Sequence, residues 1–200
     1  MAILRKPTVA TTSDTAPFVV RSERASYVVA REALLDASFG DNRHLRTCQR
    51  LRDGQAPAEG LALSAVSQGR LVGTVRLWHV SAGGVPALVL GPLAVDPPFR
   101  KLGIGRALVQ RALAAAKARG HGAVLLLGDA PYYSRFGFSA LKTGELRLPG
   151  PFEPDRLLGL ELREGALDGA WGMIVPTGMT ASRRKPRFAA RSRKLAPRAA

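Results

Sequence analysis

An apolar strand, a basic glycine-containing loop and a helix follow one another in the middle of this chain. Residues 88–95 are almost entirely apolar and predict a buried strand, and apolar residues recur at helical spacing after Gly103, where a helix is predicted to begin. The first amides of a helix have no partners within it, and the helix dipole attracts negative charge. The loop also carries three cations, Arg100, Lys101 and Arg106. This segment therefore predicts a binding site for a polyanion, and a pyrophosphate-bearing ligand is the best candidate.

Strand and helix patterns alternate around this segment. Residues 61–67 and 71–80 predict two paired strands, which form an antiparallel meander with the strand at 88–95. The helix is predicted to end at Gly120, and the apolar run 123–127 predicts a parallel strand reached by a right-handed crossover. Further predicted elements are a strand at 18–21, helices at 25–37, 44–52 and 129–137, and closing strands at 157–163 and 171–175. The fold class is α/β (α+β), with a mixed, mostly antiparallel central sheet flanked by helices.

Two other phosphate-binding motifs fit the loop less well. A P-loop needs Gly-Lys-Ser/Thr, which Gly105-Arg106-Ala107 does not provide. A Rossmann fingerprint would have a third glycine where Leu108 stands, and its loop turns directly after the strand, whereas seven residues separate Val95 from Gly103. Asp129, at the end of the next predicted strand, would suit that motif as a ribose-binding acid. Because the third glycine is missing and the loop is too long, the Rossmann alternative is nevertheless the weaker one.

The loop and a second motif downstream resemble one protein family. Arg100-x-x-Gly103-x-Gly105 resembles the acyl-CoA pyrophosphate motif of the GCN5-related N-acetyltransferase (GNAT) family, and Tyr133-x-x-x-Gly137-Phe138 resembles its Tyr-x-x-x-Gly-Phe signature. The resemblance covers about residues 18–175. It extends to uncharacterised bacterial predicted N-acetyltransferases that have Leu-Gly-Pro-Leu-Ala-Val-Asp-Pro before the loop and Tyr-Tyr-x-Arg-Phe-Gly-Phe after it.

This resemblance implies a GNAT-type acyl-CoA N-acyltransferase whose sheet opens between the strand ending at Val95 and the strand ending at Leu127. It implies acetyl-CoA, or another acyl-CoA, as co-substrate, and no metal. A primary amine would attack the thioester directly in a ternary complex, with strand amides polarising the carbonyl. The implied cofactor-binding residues, for the pantetheine arm and the pyrophosphate, are Leu93, Ala94, Val95, Arg100, Lys101, Leu102, Gly103, Ile104, Gly105 and Arg106.

Tyr133 is the catalytic residue that the resemblance implies. It would protonate the leaving thiolate, and a free thiol with a pKa near 8.5 and a phenol with a pKa near 10 are closely matched for such a transfer. Tyr132 carries a rival hydroxyl, but the spacing to Gly137-Phe138 selects Tyr133.

The general base stays open at this point. Asp96 lies beside the implied pocket but could equally cap the loop, and His79 and His44 are further candidates beside a water-mediated relay. A covalent route through Cys48 would need a nearby histidine, and His44 is four residues away on a predicted helix. Direct transfer is the better-supported route.

The acceptor could be a small amine, an antibiotic amine, or a protein N-terminus or lysine. Four arginines lie in the segment 39–60, which would shape the acceptor pocket: Arg43, Arg46, Arg50 and Arg52. They suggest an acceptor with a negative group, although a solvated helix face explains them equally well. The alternative function is a non-catalytic acyl-CoA-binding or sensor module with a basic tail, at 181–200, that contacts nucleic acid.

The charge distribution predicts the domain organisation. Of the net charge of +15, residues 181–200 contribute eight Arg or Lys and no acid, which leaves 22 basic and 15 acidic residues elsewhere. We expect a disordered leader over 1–17, a GNAT-type domain over 18–176, and a basic, disordered tail over 177–200 that could contact nucleic acid. No apolar run approaches the roughly 20 residues of a membrane span. Cys48 is the only cysteine, so we expect a cytoplasmic protein, and the family resemblance makes a homodimer unsurprising.

Overall fold

The computed structural model describes residues 18–181, so the predicted leader and most of the predicted tail lie outside the described residues. It contains nine strands: β1 (Val19–Ser22), β2 (Ala62–Ser67), β3 (Arg70–Ala82), β4 (Val85–Leu90), β5 (Ala94–Val95), β6 (Ala123–Leu127), β7 (Leu146–Arg147), β8 (Leu157–Glu161) and β9 (Gly172–Pro176). Its α-helices are α1 (Val28–Phe39), α2 (Ile104–Ala118) and α3 (Ala130–Tyr133). Short 3₁₀ turns span Ala25–Tyr27, Asp41–Leu45, Thr47–Leu51, Pro97–Phe99, Ser134–Phe136 and Pro154–Arg156.

The strands form one mixed sheet in the order β1-β2-β3-β4-β6-β8, with β5 and β9 also paired to β3, and β7 paired to β9. The β2-β3-β4 meander is antiparallel, and β4 and β6 are parallel, with Leu88 opposite Val124. This confirms the predicted fold class. A second parallel pair, β7 with β9, was not predicted because β7 is only two residues long.

The predicted strand 88–95 is interrupted. Leu90 is opposite Leu77 and Ala94 is opposite Thr74, so the three residues Gly91–Leu93 face only two residues of β3. Such an extra residue is a β-bulge, which bends the strand that carries it. The Gly91–Pro92 peptide bond is cis, and the indole Nε1 of Trp78 donates a hydrogen bond of 2.6 Å to the Gly91 carbonyl. The sequence prediction of one continuous strand was therefore wrong at this point.

Two smaller predictions also need correction. The predicted helix at 44–52 is two 3₁₀ turns, Asp41–Leu45 and Thr47–Leu51, separated by Arg46 in an extended conformation. The strand predicted to reach residue 163 ends at Glu161, because the next two amides, of Leu162 and Arg163, both donate to the Gly122 carbonyl.

The sheet has a hydrophobic cluster on each face. Helix α2 covers one face, where Ile104, Leu108 and Ala112 are completely or almost completely buried against β2, β3 and β6. The other face is covered by the turn Thr47–Leu51 and the chain from about residue 146 to 170, through side chains such as Leu51 and Leu146. Both sides of the sheet are thus closed, as expected for a parallel crossover. Within the described residues, no helix has the length and apolarity needed to cross a bilayer.

Helix α1 is fixed by a buried ion-pair network. Glu23 accepts hydrogen bonds from the guanidinium groups of Arg31, at 2.5 Å, and Arg76, where Nε lies 3.0 Å away. Arg31 is 6% exposed and also pairs with Glu32 at 2.5 Å. The network joins the end of β1, helix α1 and strand β3.

Replacing Glu23 by alanine should reduce the free energy of unfolding by about 3 kcal/mol, because two poorly solvated guanidinium groups lose a shared carboxylate. Urea denaturation of both proteins measures this difference. The matched control is Glu153→Ala, which breaks an exposed pair with Arg156 and should cost less than about 1 kcal/mol. Equal effects of the two substitutions would contradict the structural role of the network.

Candidate active site

The sheet opens where β4 leaves β6. Their ladder consists of Leu88 with Val124 and Val89 with Leu125, after which β5 pairs only with β3, while β6 stays paired with β8 to its last residue. A cavity of about 630 Å³ lies at this opening. It is lined by residues from four segments: 39–52, Val89–Leu93, Leu127–Asp129 with Tyr133, and 151–156. This volume lies within the range of small-molecule sites.

The basic loop leads from β5 into α2 without any side-chain cap. Gly103 has φ +79°, a left-handed conformation that suits glycine, and precedes the first helical residue Ile104. Lys101 also has positive φ, at +69°. Within residues 18–181, none of Arg100, Lys101 and Arg106 forms an ion pair, and all three are exposed. The loop thus presents free helix amides and uncompensated positive charge.

The predicted cofactor-binding residues occupy two places along β5 and α2. Leu93 lines the cavity, Ala94 is buried in the cluster with helix α1, and Val95 pairs with Gly73 of β3. The loop residues 100–106 do not line the cavity in the described part of the chain. The basic loop and the cavity therefore lie at different ends of the same opening.

Tyr133 lies at the opening because a glycine follows the last residue of β6. Its ring packs on Gly128, where a Cβ atom would meet Tyr133 Cε2 at 2.4 Å, so that any other residue would displace the ring. Phe138 supports the ring edge-on, with centroids 5.9 Å apart. Tyr133 lines the cavity.

Tyr132 points to a different place. A Cβ atom at Gly105, in the first turn of α2, would lie 2.8 Å from the Tyr132 hydroxyl oxygen. Arg135 also contacts the Tyr132 ring, with its guanidinium carbon 4.8 Å from the ring centroid. The two adjacent tyrosines therefore lie at different ends of the opening: Tyr133 lines the cavity, and the Tyr132 hydroxyl lies beside the first turn of α2.

Burial, with smaller contributions from the neighbouring Tyr132 and Asp129, raises the pKa of Tyr133 to about 12. The hydroxyl keeps its proton throughout the neutral and mildly alkaline range. The sequence-based expectation of a phenol closely matched to a free thiol was wrong for this cavity, because the expectation used the pKa of a solvated phenol.

The structure places the candidate general bases at different positions relative to the cavity. Asp96 is paired with Arg70 at 2.5 Å, and His79 lies 5.3 Å from His121, between ring centroids, beside a different cavity of about 210 Å³. His44 does not line the larger cavity in the described part of the chain. The carboxylates that do line it are Asp129 and Glu153.

Cys48 lines the cavity, but burial raises the pKa of its thiol, which disfavours the nucleophilic thiolate. Sequence reasoning missed Gly128 and weighed Asp129 only as a ribose-binding acid. The signal for both was their position directly after a buried strand. Within residues 18–181, no group of three or more His, Cys, Asp or Glu side chains could hold a metal ion.

A mixed sheet that opens beside a basic glycine loop defines a class of acyltransferase folds, and the comparisons with known proteins identify the family. Residues 25–138 match the acetyltransferase (GNAT) family. The uncharacterized N-acetyltransferase YhbS of Escherichia coli K12 is 32% identical over 145 residues, which cover 72% of this chain and 86% of YhbS. The chain belongs to the GNAT family, which confirms the resemblance of its two motifs and places it among the N-acetyltransferases.

Two solved structures share the fold. Escherichia coli YhbS in complex with CoA has a TM-score of 0.71 at 30% identity, with 84% of this chain and 93% of that chain covered. A GNAT family acetyltransferase from Brucella melitensis in complex with acetyl-CoA has a TM-score of 0.55 at 27% identity, with 77% and 100% covered.

The tyrosinate absorbance of Tyr133 should appear only near pH 12, and Tyr133→Phe should remove this most alkaline step. Asp129→Asn should move the step to lower pH, since a negative charge that opposes ionisation is removed. Absorbance titration in the near ultraviolet measures both shifts. Asp155→Asn removes an exposed carboxylate outside the cavity lining and serves as control. An unchanged step in Asp129→Asn would show that Asp129 does not face the phenol.

Proposed function

We propose that this protein is an acetyl-CoA-dependent N-acetyltransferase that acts on a primary amine by direct transfer in a ternary complex. The observation that carries the proposal is the opening between β4–β5 and β6, which has an uncompensated basic loop at one end and the partly buried Tyr133 at the other. The YhbS structure with CoA and the Brucella melitensis structure with acetyl-CoA support this choice of co-substrate.

The residues present fit an acyl-CoA. The uncapped start of α2 offers amides to a pyrophosphate, and Arg100, Lys101 and Arg106 offer charge that no described carboxylate neutralises. The unpaired edge of β5 offers backbone groups to the amides of a pantetheine arm. The Tyr132 hydroxyl beside Gly105 adds a further polar group at the loop.

Tyr133 is the proposed proton donor. When bound, acetyl-CoA supplies a thioester and a thiolate leaving group. Complete transfer from a phenol with a pKa of about 12 to a solvated thiolate, with a thiol pKa near 8.5, is unfavourable by roughly 5 kcal/mol. Tyr133 therefore acts first as a hydrogen-bond donor to developing negative charge. It releases its proton to a sulfur that burial in the same cavity makes more basic.

Asp129 is the proposed acceptor of the proton that an incoming ammonium group must lose. It lines the cavity beside Tyr133, and the described residues form no ion pair with it. Glu153, the other cavity carboxylate, is 76% exposed in its side chain and pairs with Arg156. The raised pKa of the Cys48 thiol supports direct transfer over a covalent route.

Release of CoA from acetyl-CoA in the presence of a broad amine panel tests this function. Tyr133→Phe should lower kcat by about a hundredfold or more with little change in the KM of acetyl-CoA, as expected for loss of a proton donor. Tyr132→Phe is the matched control and should keep kcat within a few-fold. Unchanged turnover in Tyr133→Phe would refute its role, and acetyl-CoA binding without turnover of any amine would favour the sensor alternative.

Arg100→Gln and Arg106→Gln should each weaken acetyl-CoA binding about tenfold, since each removes a charge-assisted contact to phosphate. Isothermal titration calorimetry measures this loss. Binding of S-acetylpantetheine, which lacks the pyrophosphate, should not change. Arg111→Gln removes an equally exposed arginine farther along α2 and should have little effect. Equal losses for both ligands would place the pyrophosphate elsewhere.

A further inference from the structure

Among the described residues, four arginines line the cavity, and they differ in whether an acidic side chain pairs with them. Arg43 is paired with Glu32 at 2.6 Å and Asp36 at 2.5 Å, and Arg156 approaches Glu153 at 3.5 Å. Within residues 18–181, the remaining two, Arg46 and Arg52, form no ion pair. The cavity therefore carries positive charge that the described residues leave uncompensated.

Arg52 is the better placed of these two. It is mostly buried, and its Nε donates a hydrogen bond of 3.1 Å to the Cys48 carbonyl. Its Nη1 would lie 3.9 Å from a Cβ atom at Gly91, in the bulge where the sheet opens. Arg46 is exposed instead, with its guanidinium stacked 5.1 Å from the Phe39 ring centroid. The terminal nitrogens of Arg52 thus lie at the cavity wall, close to the bulge at Gly91.

Within residues 18–181, no acidic side chain forms an ion pair with Arg52. Burial lowers the pKa of its guanidinium; the charges of Cys48 and Asp53 oppose this shift, and those of Arg43 and Arg46 add to it. The nearest acid in the chain, Asp53, accepts a hydrogen bond from Gln49 at 2.6 Å and does not pair with Arg52. A poorly solvated cation without a paired carboxylate is unfavourable, and an anionic ligand would relieve this cost.

The pyrophosphate of the proposed co-substrate does not supply that anion, because the basic loop at 100–106 lies outside the cavity lining. A guanidinium binds carboxylates and phosphates through two parallel hydrogen bonds. The cavity carboxylate Asp129, by contrast, suits an ammonium group. The cavity thus contains a group for each end of a small molecule with opposite charges.

We infer that the acceptor is a small amine that carries a carboxylate or phosphate, and that Arg52 binds this anionic group while the amine faces Tyr133 and Asp129. This inference rests on the proposed function for the identity of the amine as acceptor. It assigns Arg52 as the specificity-determining residue of the cavity.

Matched pairs of compounds test the inference with two readouts. In the first, CoA release is measured with amino acids against their carboxamides, and with O-phosphoethanolamine against ethanolamine. In the second, binding of the corresponding N-acetyl compounds is measured by isothermal titration calorimetry, which requires no turnover. The wild type should favour at least one anionic series over its neutral partners by about tenfold or more in kcat/KM and in affinity. The amino acid and phosphate arms identify which anion is preferred.

Arg52→Gln should remove this preference while leaving the neutral compounds within a few-fold of the wild type. Arg50→Gln removes a charge from the same 3₁₀ turn but from an exposed arginine outside the cavity lining, and it should retain the preference. A wild type that binds acids and their neutral partners equally would overturn the inference even if Arg52→Gln failed to fold. An equal loss for charged and neutral acceptors in Arg52→Gln would also overturn it, since Arg52 would then act on the thioester.

Failure of the proposed function gives a different result. If no amine releases CoA, but N-acetyl acids still bind about tenfold better than their carboxamides in an Arg52-dependent manner, the anion site stands and the acetyltransferase proposal fails. If amines are acetylated without any preference for a negative group in either readout, the proposed function stands and the anion site fails.

Discussion

The separation of β4 and β5 from β6 is the constraint on which the other features of the site depend. A strand that continued straight through Gly91–Leu93 would pair with β6 to its end and leave no space between them. The extra residue opposite β3 turns the chain away, and the hydrogen bond from Trp78 to the Gly91 carbonyl fixes that turn. Because β6 remains paired with β8, the sheet opens on one side only and keeps its core intact.

Two glycines assign different positions to two consecutive tyrosines. Gly128 directly follows β6 and leaves space for the ring of Tyr133, whereas Gly105 in α2 leaves space for the hydroxyl of Tyr132. Neither glycine needs an unusual φ, so each is required by close approach and not by backbone conformation. One short helix can thus present a hydroxyl to the cavity and another to the loop that begins α2.

The sequence contained enough local information to predict the meander, the crossover and the basic loop, because periodicity and turn residues specify them. It could not predict the bulge, since Leu-Gly-Pro-Leu-Ala-Val reads as one apolar run and the extra residue appears only in the register with β3. The position of Asp129 at the cavity was equally hidden. Its role depends on the departure of β4 from β6, a long-range event that no local pattern encodes.

Charge compensation divides the basic residues of this chain into two groups. Around α1, the guanidinium groups of Arg31 and Arg43 are matched by Glu23, Glu32 and Asp36, and these contacts hold the helix in place. At the loop of α2, and at Arg52 in the cavity wall, no described acid forms an ion pair. If folding alone determined the placement of charge, the buried cation at the cavity would be the first to acquire a carboxylate partner. Its uncompensated charge is better explained by a ligand that provides the missing anion, as the loop's charge is by a pyrophosphate.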